Sequence, residues 1–369
     1  MGKKITVCAV LFVLSGMGLW VYSKVPDVQE TIAFYTEEDF TEDNIYTDLD
    51  GIADRLKEEI QKGSNDFTIY MKDVDVAELE QINSALDGIF GSGSTYQQIG
   101  SVGESYKKVK ITIEKTMNYY AVEAYLNQTP IPDSQERAKE LYEVIRQVMD
   151  TQITDGMTDY EKELTLHDYL VTHCTYSENV IQSPDSDIYR AYGALVNGDA
   201  VCNGYAEALK LLLDCAGVPS EFVTGTAGGV EHAWNLVKLG DEWYHMDATW
   251  DDPLPDGGEQ VVHPYFNVSD EVIGQSHVWK REEYPEADSM FWNYYVRSQT
   301  YFQGFDDYKT HAYEAMVTEE ADHYEAVVEG YVEHKEDMQF LFENNSRYSR
   351  VNWHCFEEGS YRVLVLNAE

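Results

Sequence analysis

The chain has 369 residues, 43% of them apolar and 13% aromatic, which is ample for hydrophobic cores and not the composition of a disordered protein. Against 67 acidic residues stand only 26 basic ones, a formal net charge of −41. Without a basic patch to neutralise phosphates, the composition argues against nucleic acid as a partner, and against binding to bare anionic membrane surface.

Lys3 and Lys4 precede an uncharged, mostly apolar run from Ile5 to Tyr22. Residues 1–23 therefore read as a signal peptide or a single-pass membrane anchor, and the protein is expected to be exported, extracellular or at the cell surface. Val21-Tyr22-Ser23 is a poor cleavage site, so both outcomes stay open. Cys8 sits in the middle of the run, which argues against a lipoprotein anchor there. Residues 24–65 read as an acidic linker with a short helix around Asp50 to Lys62. Residues 66–130 form a first α+β module: a strand over Asp66 to Met71, a helix over Val76 to Phe90, and strands over Lys108 to Lys115 and Tyr119 to Leu126. Pro130 and Pro132 mark a boundary, and residues 131–287 form the next domain. It begins with an amphipathic helix over Ser134 to Met149, followed by a second helix, capped at Thr158, that ends near His173. Residues 288–369 make a β-rich module with strands over Tyr324 to Val332, Arg350 to Phe356 and Tyr361 to Leu366, and a helix over Lys335 to Phe342. This order repeats that of the first module, a weak sign of two similar flanking modules.

Five cysteines, Cys8, Cys174, Cys202, Cys215 and Cys355, are too few and too scattered for a disulfide framework. A Cys174–Cys215 pair is open, because both lie in or near helices expected to pack together. No CxxC or His-x-x-x-His spacing is present, so neither a metal nor another cofactor is expected.

The segment Gly198-Asp199-Ala200-Val201-Cys202-Asn203-Gly204-Tyr205-Ala206 reads as a loop that delivers Cys202 to the first turn of an apolar helix. Unpaired N–H groups and the positive end of the helix dipole favour a thiolate there and can hold an oxyanion. The bland alternative is a small apolar residue packed under the loop. Thirty residues on, His232 opens an alternating strand after Gly228-Gly229. The chain turns at Leu239-Gly240-Asp241-Glu242 and returns through Trp243-Tyr244-His245-Met246-Asp247. With a two-residue hairpin loop, residues whose numbers sum to an odd value share a face, so His232 and Asp247 lie opposite or diagonal to each other. A base and its orienting carboxylate need that placement. His245 shares the face by parity and is an alternative base or ligand. Asp251 and Asp252, before Pro253, read as a turn, with calcium binding left open.

Taken together, Gly-x-x-Val-Cys-x-Gly-Tyr-Ala, His-Ala-Trp-Asn and Trp-Tyr-His-x-Asp-x-Thr-Trp-Asp resemble the transglutaminase-like superfamily over roughly residues 130–285. The resemblance implies an α+β, papain-like core with a helix-borne cysteine packed on an antiparallel sheet. It implies Cys202 as nucleophile, His232 as base and then acid, and Asp247 as orienting carboxylate. An aromatic oxyanion donor is expected upstream of the cysteine, with Tyr176 and Tyr192 as candidates. Animal crosslinking enzymes have Gln-Cys-Trp where this chain has Val201-Cys202-Asn203, and their calcium sites are not recognisable, so the microbial branch is the nearer match. The expected activity is acyl transfer at peptide or carboxamide bonds, with hydrolysis favoured and a peptide or protein substrate, cell-wall peptide included. The competing readings are glutamine crosslinking and a catalytically inactive binding or scaffold module.

Overall fold

The computed structural model describes residues 39–62, 64–79, 82, 93–177, 186–252, 261–332, 337–342, 348–358 and 360–368. Its contacts divide the chain into two compact units, residues 1–120 and 121–369.

In the first unit, β1 (Ile45–Tyr46), β2 (Asp66–Met71), β3 (Gly93–Val102) and β4 (Tyr106–Glu114) form a four-stranded sheet in the order β1-β2-β4-β3, with helix α1 (Leu49–Gln61) between β1 and β2 in the chain. The Asp48 side chain caps α1 by accepting from the Gly51 N–H at 2.8 Å. Ile52, Leu56 and Ile60, spaced four apart, line one face of α1 and bury with Ile69, Met71, Val109, Ile111 and Ile113. Of the helix expected over Val76 to Phe90, a 3-10 turn at Val76–Leu79 is seen, and most of the remainder lies outside the described residues.

The strand expected over Tyr119 to Leu126 is instead a helix, α2 (Met117–Asn127). Its buried positions, Asn118, Tyr119, Ala121 and Val122, follow the three- and four-residue spacing of a helix. Tyrosines flanking alanine imitate strand alternation over so short a run, but only Val122 is β-branched.

The second unit begins with α3 (Glu136–Gln152) and α4 (Asp159–His173). A reciprocal cap starts α4: the Thr158 hydroxyl accepts from the Glu161 N–H, and the Glu161 carboxylate accepts from the Thr158 N–H at 2.7 Å. Two short parallel strands, β5 (Thr175–Tyr176) and β6 (Asp199–Ala200), then lead into α5 (Cys202–Ala216). The central sheet holds β7 (Ser220–Ala227), β8 (Val230–Leu239), β9 (Glu242–Met246), β10 (Phe266–Val268) and β11 (His277–Val278). It is antiparallel throughout, in the order β10-β9-β8-β7-β11. Helix α5 packs on β7 and β8, and the Asn235 amide donates to the Ala206 carbonyl at 3.0 Å across that contact.

The last sheet, order β12-β13-β15-β14, comprises β12 (Tyr301–Phe302), β13 (His323–Val328), β14 (Val351–Glu358) and β15 (Tyr361–Ala368), with α6 (Phe305–Tyr313) between its first two strands. Strand order, the parallel first pair and the closing hairpin repeat those of the first unit. Val327, Val363 and Val365 bury with Val223, Trp234 and Leu236 of the central sheet. The alternate residues Ala326, Val328, Leu364 and Leu366 bury with Tyr308 and Ala312 of α6. Cys174 and Cys215 are both free thiols in buried positions, and burial pushes the Cys174 thiol up to about 12.

Candidate active site

Cys202 is the first residue of α5, preceded by Val201 in extended conformation. The Val201 N–H donates to the Ile188 carbonyl at 2.9 Å, which pins the approach to the helix. Gly204 makes that approach fit. A Cβ built there would lie 2.7 Å from both the Ala200 Cβ and the Ile188 carbonyl oxygen, so a side chain would push the first turn of α5 off its support. One residue on, the Tyr205 hydroxyl lies 3.0 Å from the Cys174 carbonyl and 2.5 Å from Asp252 Oδ2, anchoring the same turn from inside. Asp251 and Asp252, which read as a turn in the sequence, are both buried.

The hairpin register is that of a two-residue loop: Leu239 pairs with Glu242, and Gly240 takes a φ of +65°. His232 and Asp247 thus project to one side on a diagonal, and His232 Nε2 lies 2.6 Å from Asp247 Oδ2. A carboxylate only accepts, so Nε2 carries the proton and Nδ1 is the ring's remaining acceptor, with Cys202 near enough to add to the upward shift of the ring. Burial works against a charged His232, but the Asp247 carboxylate outweighs it and holds the ring up to about 10, with a smaller contribution from Cys202. Burial would raise Asp247 in turn, yet His232 and then His277 keep it well below the ordinary carboxylate range.

Asp247 has a second histidine that the sequence reading missed. His277, on edge strand β11, places its Nε2 3.0 Å from the same Oδ2, and its Nδ1 meets the Ser276 hydroxyl at 2.7 Å. The other oxygen, Oδ1, accepts from the N–H groups of Thr249 at 3.0 Å and Trp250 at 3.2 Å. Both oxygens of this fully buried carboxylate are therefore engaged. The Trp250 ring lies against both imidazoles, 5.7 Å from His232 and 4.6 Å from His277 between centroids. Nothing near His277 forms a motif, and its partner Asp247 is thirty residues away, so only the pairing of β11 with β7 could reveal it.

Of the two oxyanion candidates, Tyr176 is close enough to Cys202 and Asp247 for their charges, after burial as the larger cause, to raise its hydroxyl above the ordinary range. Tyr192 is placed elsewhere, with its hydroxyl bonded to Glu140 and its ring under the Arg137 guanidinium at 4.1 Å. His245 is engaged away from Cys202: its Nδ1 accepts from the Trp234 indole at 2.9 Å and its Nε2 lies 2.8 Å from Asp270. Burial holds it below the ordinary imidazole range, as a neutral ring between those partners requires.

A cysteine at a helix N-terminus, a histidine on an adjacent antiparallel sheet and a buried carboxylate behind it define a transglutaminase-like, cysteine protease-type α+β fold. Residues 146–248 match the family model of the transglutaminase-like superfamily. Kyphoscoliosis peptidase from Mus musculus and from Homo sapiens are each 23% identical over 176 residues, 41% of this chain. The match spans only 26% of each of those proteins. Among solved structures, a TGase is 15% identical, covering 56% of this chain and 59% of its own, with a TM-score of 0.26. Calcium-bound LapG of Legionella pneumophila is 12% identical, covering 48% and 98%, with a TM-score of 0.27. The periplasmic domain of TgpA from Pseudomonas aeruginosa is 14% identical, covering 53% and 72%, with a TM-score of 0.22.

Proposed function

We propose that the protein is an exported thiol enzyme in which Cys202 attacks a peptide or carboxamide carbonyl, His232 moves the proton and Asp247 orients and charges His232. The observation that carries this reading is the His232 Nε2–Asp247 Oδ2 contact at 2.6 Å, with Cys202 at the first residue of α5 near enough to His232 to add to the upward shift of its ring. Attack forms a tetrahedral oxyanion, held by first-turn N–H groups of α5 and the Tyr176 hydroxyl. Its collapse expels the amine, which takes its proton from His232 Nδ1 and leaves an acyl-enzyme on sulfur. Water activated by the same nitrogen then releases the acid. Hydrolysis is the favoured outcome, in keeping with the peptidase name of the curated relatives. Export rests on the basic and apolar run of residues 3–22, which lies outside the described residues. Among the described residues, no helix is long and apolar enough to cross a membrane.

The test incubates purified protein and its Cys202→Ala variant with a proteome-derived peptide pool and a labelled primary amine. New peptide termini that vanish in the variant establish hydrolysis. Amine incorporation into glutamine side chains would establish crosslinking instead. Neither product, with no thioester trapped by hydroxylamine, would overturn the assignment of an enzyme.

A further inference from the structure

A second group of histidines and carboxylates lies apart from the triad and shares no residue with it. His167 and Asp168 stand side by side on α4, and His263 lies in the segment before β10. Asp168 Oδ1 is 2.9 Å from His167 Nδ1 and 3.0 Å from His263 Nε2, and the three atoms lie within 4.8 Å of one another. The far nitrogen of each ring meets a different buried carboxylate. His167 Nε2 lies 3.1 Å from Asp251 Oδ2, and His263 Nδ1 lies 2.6 Å from Glu325 Oε1. Those carboxylates are themselves fixed: Asp251 Oδ1 accepts from the Tyr265 N–H at 2.7 Å, and Glu325 Oε2 accepts from the Tyr295 hydroxyl at 2.8 Å. Packing locks the rings as well, with Tyr294 stacked on His263 at 3.8 Å and the Phe266 edge 5.1 Å from His167.

We propose that His167 Nδ1, Asp168 Oδ1 and His263 Nε2 form a binding site for one divalent transition-metal ion of the zinc type. A ring that donates its far N–H to a carboxylate turns a lone pair toward the metal, and both histidines here have such a carboxylate. With metal bonds of about 2.0–2.1 Å, each imidazole nitrogen and the Asp168 oxygen, 2.9–3.0 Å apart, would subtend roughly 90° at the metal, an octahedral angle. The two imidazoles are buried, whereas the Asp168 side chain is 38% exposed, so the remaining positions open to water on its side. The ion would tie α4 to the segment before β10 and, through Glu325, to β13 of the last sheet.

The test dialyses full-length protein against chelator and titrates it with Co2+ alone, reading stoichiometry, visible d–d bands and the Cys202 alkylation rate. The expected result is one equivalent bound, with no thiolate charge-transfer band and an unchanged alkylation rate. Affinity should fall at least roughly tenfold in Asp168→Asn and His263→Gln and roughly 10–100-fold in Glu325→Gln, and persist in His277→Gln. No stoichiometric binding to the wild type would overturn the proposal. So would a thiolate band, slowed Cys202 alkylation or loss of binding in His277→Gln, each of which would put the ion at the triad. Should the ligand variants fail to fold, the alkylation and charge-transfer readings on the wild type still decide between the two locations.

Discussion

Replacing Asp247 by asparagine preserves shape and removes charge, and the hydrogen bonds around the site dictate the effect on catalysis. Asp247 serves four donors with two oxygens: Oδ2 faces His232 and His277, and Oδ1 accepts from the N–H groups of Thr249 and Trp250. An amide has only one oxygen. If that oxygen keeps the backbone donors, the NH2 group faces His232 Nε2, which must then accept. The imidazole proton moves to Nδ1, toward Cys202, and the ring can no longer take the thiol proton. The reversed amide would turn its NH2 against two backbone N–H groups and is worse. A carboxylate-to-amide change that traps the wrong tautomer lowers turnover by roughly 10^3- to 10^4-fold, and we expect Asp247→Asn to fall in that range.

Charge gives a second, separable signature. His232 is held up to about 10, although burial alone would place it below an ordinary imidazole. The interval from about 6.5 to about 10, at about 1.4 kcal/mol per pH unit, corresponds to on the order of 5 kcal/mol favouring the charged ring. Below about 10 that charge can accompany a Cys202 thiolate. In the variant, the limb of activity or labelling set by His232 should drop by roughly three pH units or more. The assay is iodoacetamide labelling of Cys202 between about pH 5 and 11, read by peptide mass spectrometry beside steady-state turnover, with near-ultraviolet circular dichroism as the check on folding. A folded Asp247→Asn protein whose labelling profile overlays that of the wild type would refute the reasoning.

Three further outcomes concern neighbouring contacts. His277→Gln removes one donor from Asp247 but leaves His232 and both backbone N–H groups, so kcat should fall only roughly tenfold with KM unchanged and a shifted pH profile; unchanged kcat and profile would make His277 a packing residue. Gly204→Ala places a Cβ 2.7 Å from backbone and should cost about 1–3 kcal/mol, lowering Tm by about 2–4 °C per kcal/mol in thermal melts. Glu163 is wholly buried, and burial lifts its carboxyl to about 8 despite the Asn267 amide at 2.8 Å. Because the folded state holds this proton more tightly than the unfolded one, the stability it contributes is complete below about 4.5 and lost as pH rises through about 8. Glu163→Gln should therefore gain stability relative to the wild type as urea melts move from about pH 4 to pH 9, by up to about 5 kcal/mol. A difference that stays flat with pH would contradict that assignment.

Legibility in the sequence tracks the range of the interaction. The cap of α4 at Thr158, the alternation of β13 and β15 and the start of α5 at Cys202 depend on residues within a few positions of one another, and each is readable. The diagonal of His232 and Asp247 is readable for a different reason: a two-residue hairpin turns parity into geometry, so a long-range contact becomes a local count. Helix α2 escapes such a reading because eleven residues rich in tyrosine fit two periodicities, and only the burial of Asn118 with Val122, a turn apart, separates them.

Neither His277 nor the His167–Asp168–His263 group can be read that way. Asp168 and His263 are 95 residues apart, and His263 and Glu325 are 62 apart. Chain spacing rules for metal sites detect ligands carried on one loop or helix, so their silence says nothing about ligands assembled by tertiary packing. The same holds for the group of Cys202, His232 and Asp247. His232 and Asp247 are positioned by their own hairpin, but the second donor that fixes Asp247 arrives from the opposite edge of the sheet. The setting of Asp247 thus depends on the pairing of edge strand β11 with β7, and a change that loosens β11 should reach His232 through Asp247 without touching either His232 or Cys202.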